Sequence, residues 1–141
     1  MQKIDNWDKV QPADGDGRTE LEPGGYICKI MEAKVVTYRG QNGDFDKLEV
    51  FIDINEGNFK GFYADDYRQQ AIWGGERKWK GILRPYVPTN GDNPQAKRSQ
   101  AIFKKFINAV EASNPGYHWN WDESTLKGKR VGVMFRSEEY D

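Results

Sequence analysis

The chain has 141 residues, 37 % of them hydrophobic and 13 % aromatic, and its 21 lysines and arginines against 22 aspartates and glutamates leave a net charge of −1. That is the size of one domain able to bury its own core, with too much apolar character for disorder. One cysteine, Cys28, excludes an intramolecular disulfide; with the one histidine, His118, it cannot make a zinc site, and no run approaches the roughly 20 apolar residues of a membrane helix.

Residues 1–24 carry Asp5, Asp8, Asp14 and Asp16 and end in the turn signal Pro23-Gly24-Gly25. They read as an extended N-terminal arm anchored by Trp7, neither a signal peptide nor a membrane span, which places the protein in the cytoplasm. The domain proper is expected over 25–141. From Tyr26 to Thr37 the β-branched content is that of a strand, but the apolar positions switch parity, Tyr26, Cys28 and Ile30 giving way to Met31, Ala33 and Val35, so a bulge or bend is expected. Cys28 reads as a small buried hydrophobe within it.

Arg39 to Asp44, with Asn42-Gly43, is a hairpin connection. Lys47 to Ile54 is the cleanest strand, with Leu48, Val50, Ile52 and Ile54 on one face and Phe51 on the face carrying Lys47, Glu49 and Asp53. After Glu56-Gly57-Asn58, Phe59 to Tyr63 reads as a third strand of an antiparallel meander. Residues 64–93 are expected to form a long loop hiding one short strand around Ile82 to Tyr86, and loops of that length are usually functional.

Pro94 to Ser113 is expected to be the one helix. Ile102, Phe103, Phe106, Ile107 and Val110 make its apolar stripe, Asn93 caps it, and Asn114-Pro115-Gly116 stops it. Trp119 and Trp121 follow as residues pinning a loop to the core, and Lys129 to Arg136 is a further strand. Three strands, a helix and another strand is the order of an OB-fold, a five-stranded Greek-key barrel that is mainly β with a helix between strands three and four. The last strand is not accounted for: the barrel is open at that edge, the arm fills it, or the chain is a truncated version of a longer protein.

Between Arg77 and Lys105 eight basic residues stand against one acidic residue, Asp92, with Trp79 and Tyr86 among them. Cations that displace condensed counterions and rings that stack on unpaired bases are what single-stranded nucleic acid requires. On a barrel of this type the ligand crosses strands two and three, which makes Tyr38, Phe51, Tyr63, Trp73, Trp79 and Tyr86 the stacking candidates and Arg39, Arg77, Lys78, Lys80 and Arg84 the phosphate contacts. The stretch from Asp44 to Asp66, with seven carboxylates and two lysines, opposes this if it shares the ligand's face. No cofactor or metal is called for, and no catalytic residue is assigned. Glu32-Ala33-Lys34, with Asp14 or Asp16 upstream, has the form of a metal-dependent nuclease motif, but three-residue matches arise by chance in a charged chain.

The segments Pro23 to Ile30, Leu48 to Ile54, Ser113-Asn114-Pro115-Gly116 and Leu126 to Val133 together resemble small phage-encoded proteins of Gram-positive hosts. These belong to prophage recombination and replication cassettes and are often left uncharacterised or described as single-stranded-DNA-binding proteins. The resemblance covers most of 22–140 and rests on turns and strands. It implies a non-enzymatic, single-stranded-DNA-binding accessory to phage recombination or replication. The rival expectation is an interaction module that binds a recombinase or replication protein, or a second copy of itself, through an open barrel edge.

Overall fold

The computed structural model describes residues 1–11, 17, 18 and 24–136. Its strands are β1 (Gly17–Arg18), β2 (Gly24–Gly40), β3 (Gly43–Ile54), β4 (Ile82–Leu83) and β5 (Arg130–Arg136), and its helices are α1 (Phe62–Trp73) and α2 (Pro94–Ser113). They form one sheet in the order β1-β5-β2-β3-β4, antiparallel throughout except that β1 runs parallel to β5. β1 and β4 do not pair with each other. The protein is mostly β, as expected, but the described strands make an open sheet and not a closed five-stranded barrel.

β2 is the backbone of this arrangement. Its first part pairs with β5 from Gly24↔Phe135 to Lys29↔Arg130, and from Cys28 onward it pairs with β3 as far as the turn at Gln41-Asn42. The register slips between Ile30 and Glu32, leaving Met31 as the extra residue, so the parity switch in the sequence is a β-bulge. At the hairpin end Gly40 has no room for a side chain, since a Cβ would lie 2.9 Å from the Gly43 carbonyl and 3.0 Å from the Phe45 ring.

Two sequence expectations fail between β3 and α2. Phe59 to Tyr63 is not a strand: Gly57 and Gly61 adopt positive φ (86° and 78°), turn the chain, and let α1 begin at Phe62, so the described residues hold two α-helices where one is expected. The carboxylate of Asp53, at the end of β3, accepts the backbone N–H groups of Ile54, Tyr63 and Ala64 at 2.9, 2.8 and 3.2 Å. The amides of Tyr63 and Ala64 are first-turn donors of α1 that no preceding carbonyl can satisfy. The third antiparallel strand is the short one expected within the loop around Ile82 to Tyr86, where Val50↔Leu83 and Phe51↔Ile82 pair.

α2 runs over the predicted residues. Asn93 caps it through Ala96 N–H at 2.8 Å, and Phe103, Ile107 and Val110 bury against Leu48, Val50, Ile52 and Ile54 of β3 and Val131, Val133 and Phe135 of β5. Each such side chain contributes roughly 1.5–3 kcal/mol on burial. The helix therefore covers the inner face of the sheet, the face carried by the even-numbered residues of β3. Cys28 is fully buried in this core, which pushes its thiol up to about 12. The N-terminal segment is docked against this core beside α2: Ile4 is buried, and the Trp7 ring lies 5.8 Å from Phe103 and 5.0 Å from Trp121.

Candidate nucleic-acid interface

Because side chains alternate along a strand, everything α2 does not cover falls on the opposite, outer face. Cross-strand pairing places Tyr38 beside Phe45, Val36 beside Lys47, Lys34 beside Glu49 and Glu32 beside Phe51. The edge segment continues the rows, with Tyr86 opposite Lys47 and Ile82 opposite Phe51. It is stitched to β3 by Ile52 N–H to the Gly81 carbonyl, Leu48 N–H to Pro85 and Val87 N–H to Asp46, at 2.8, 2.9 and 2.9 Å. Residues 82, 84 and 86 therefore share the outer face.

At the hairpin end three rings meet. Tyr38 and Phe45 stack at 5.7 Å with planes 9° apart, and Tyr86 lies 5.5 Å from Phe45. The Lys47 ammonium sits among them, 4.8 Å from the Tyr86 centroid, 5.4 Å from Tyr38 and 6.0 Å from Phe45. Such a cation over ring faces contributes about 0.5–1 kcal/mol at an exposed site. Further along, Lys34 lies 5.2 Å over Phe51. Between the two aromatic groups Glu49 accepts the Tyr38 hydroxyl proton at 2.5 Å and faces Arg84 Nε at 3.4 Å. The Tyr38 hydrogen bond, helped by Arg84 and Lys34, holds the Glu49 carboxyl below its ordinary range, and the same bond raises the Tyr38 phenol.

Of the residues singled out from the sequence, Tyr38, Phe51, Arg84 and Tyr86 come together here. Arg39 has the opposite parity, paired across the hairpin with Asp44. Tyr63 is 6 % exposed, its ring taken up by the core and pressed against Gly81, so it offers no surface to a base. Trp79 is half-buried and donates its indole N–H to the Ile52 carbonyl at 2.9 Å, which makes it an anchor for the edge segment. Arg77 lies on the Tyr67 ring at 4.5 Å, the Lys78 backbone is held by the Gln70 amide, and Lys80 faces Asp66 at 3.9 Å. These three cations border α1, beyond Phe51. Trp73 ends α1, and its side chain lies outside the described residues, as do Asp14 and Asp16.

The basic stretch from 77 to 105 does not form one surface. Lys97, Arg98, Lys104 and Lys105 belong to α2, across the core from the outer face, where Lys104 lies 4.5 Å over Trp7 and Lys97 faces Asp92 at 3.5 Å. Sequence proximity joined two sides of the molecule. Lys34, Phe45 and Lys47 were missed, although alternation from Phe51 back through Lys47 to Phe45 marks the latter two. Two carboxylates of the acidic stretch do fall on this face, but Asp53 is spent on the α1 cap and Glu49 on Tyr38 and Arg84. Among the described residues no group of three His, Cys, Asp or Glu side chains could hold a metal ion.

No family model, curated protein or solved structure matches the chain.

Proposed function

We propose that the outer face binds single-stranded DNA, with Tyr38, Phe45 and Tyr86 as a stacking platform, Phe51 as a second one, and Lys34, Lys47 and Arg84 as the nearby cations. The platform built around Lys47 carries this reading, since Tyr86 is 47 % exposed and an ammonium lies among the rings. Each stacked base contributes ~1–3 kcal/mol and each phosphate contact is salt-sensitive, so few contacts suffice for binding without sequence reading.

Connectivity supports it. A long bulged strand that pairs with its successor and with the strand after the helix, a short third strand, and a helix ahead of the last strand support reading the open sheet as OB-like. In an OB-fold the strand-two and strand-three face is the ligand face. The resemblance to phage proteins supplies the setting, an accessory role in recombination or replication.

The test is fluorescence anisotropy of a labelled oligo-dT at two salt concentrations. Binding that weakens steeply with salt and is lost on combined Tyr38→Ala and Tyr86→Ala substitution is expected; a folded protein that leaves the oligonucleotide free at low salt overturns the reading. One observation favours a second reading, a protein-interaction surface: Ile27 (39 %) and Met134 (57 %) stand exposed on the part of the sheet formed by β2 and β5. Self-association by light scattering, abolished by Met134→Lys with oligo-dT binding intact, identifies that role.

A further inference from the structure

Beside the platform, between the tip of the β2–β3 hairpin and the first turn of α2, lies a cleft of about 810 Å³. Phe45 and Tyr86 belong to its wall and also to the platform, so a strand held on those rings can pass round the hairpin end of the sheet toward the cleft. The volume falls in the range that accommodates a small organic group.

The chemistry of the wall is selective. The acidic residues Asp44, Asp46 and Glu123 line it against one cationic group, the Met1 amino group, alongside the amide-bearing Asn42, Asn93 and Gln95. The acidic groups outnumber the cation, so a phosphate is better placed beside Lys47 on the outer face. A flat, neutral group enters freely. Amides serve donor or acceptor edges alike, whereas carboxylates only accept, so the balance favours an edge rich in N–H groups. Asp46 is held in place for this, since one of its oxygens accepts the Thr37 hydroxyl proton at 2.6 Å and leaves the other available.

Resting on the reading above, we infer that the cleft takes up a nucleobase bearing an exocyclic amino group, cytosine or adenine, from the strand held on the platform. Cytosine presents an N4 amino donor where thymine presents an O4 acceptor and a methyl group, and aspartate or glutamate is the natural partner of the former.

Competition anisotropy with oligo-dC, oligo-dT and oligo-dU of equal length tests it, the deoxyuridine oligomer separating the methyl group from the missing amine. Oligo-dC is expected to bind about tenfold more tightly than either. Asp46→Asn, or Asp44→Ala should the first variant fold poorly, is expected to narrow that gap while leaving oligo-dT affinity unchanged. Equal affinity for the three oligomers overturns the base preference and leaves the platform standing. Failure to hold any oligomer removes both.

Discussion

The indole N–H of Trp79 points at the carbonyl of Ile52, 2.9 Å away, and the Ile52 amide is in turn bound to the carbonyl of Gly81. One residue of β3 thus holds the edge segment at two points, and this fixes Ile82, Arg84 and Tyr86 onto the outer face. Trp79→Phe keeps most of the packing and removes the donor. It is expected to cost about 1 kcal/mol in urea unfolding, and Trp79→Ala more.

Gly81 is needed by the same joint. A Cβ there would lie 2.5 Å from the Ile52 carbonyl oxygen and 2.6 Å from the Tyr63 ring, both held by their surroundings. Gly81→Ala is therefore expected to destabilise by about 1–3 kcal/mol as the edge segment lifts away. Thermal or urea unfolding measures this, and a neutral outcome would show that the segment gives easily.

Asp53 governs α1 from a distance in sequence. Asp53→Ala leaves the amides of Tyr63 and Ala64 without their acceptor, at a cost of about 1–3 kcal/mol. Because α1 has no continuous apolar stripe to hold it, the loss should be local. Amide hydrogen exchange is expected to accelerate through 62–73 while the Leu48 and Ile52 amides stay protected; uniform acceleration would assign the cap a global role.

Glu49 makes part of the stability pH-dependent. The Tyr38 hydrogen bond lowers its pKa in the folded state, so its contribution is fully present above the unfolded value and is lost as pH falls through the folded one. Glu49→Gln is expected to cost about 1 kcal/mol at neutral pH. The difference from the parent chain should shrink on acidification through the carboxylate range. A pH-independent difference would mean that the carboxylate's charge is irrelevant there.

The split of the basic stretch gives a paired prediction for DNA binding. Arg84→Ala and Lys47→Ala should each weaken oligo-dT binding and lower its salt dependence by about one counterion. Lys97→Ala with Arg98→Ala, across the core, should change neither. Equal losses from both pairs would place the strand elsewhere.

Wherever packing repeats along one element, the sequence discloses the fold. The α2 stripe of Phe103, Ile107 and Val110, its Asn93 cap, the inward row Leu48 to Ile54 and the bulge behind Met31 were all legible. α1 was not, because Phe62-Tyr-Ala-Asp-Asp-Tyr-Arg-Gln-Gln-Ala-Ile-Trp73 has no apolar face for periodicity to register, and its start depends on Asp53 in another element. The short β4 was legible as a strand around Ile82 to Tyr86, although Gly81 and Pro85 hid its pairing with β3. On the site, Phe51 was visible as the ring on a charged face, whereas the meeting of Tyr38, Phe45 and Tyr86 exists only through three segments' pairing. A run of like charge, by contrast, carries no information about which side of a domain it occupies.

Met31 neither pairs with β3 nor enters the core, and its removal would let Ile30 and Glu32 meet Ile52 and Phe51 in an unbroken ladder with every inward side chain still facing inward. A deletion at this position would be silent in polarity and felt only as curvature. The strand would straighten, and β3 and β5 could no longer close on α2 together, which makes this partly exposed methionine a spacer whose contribution is an angle.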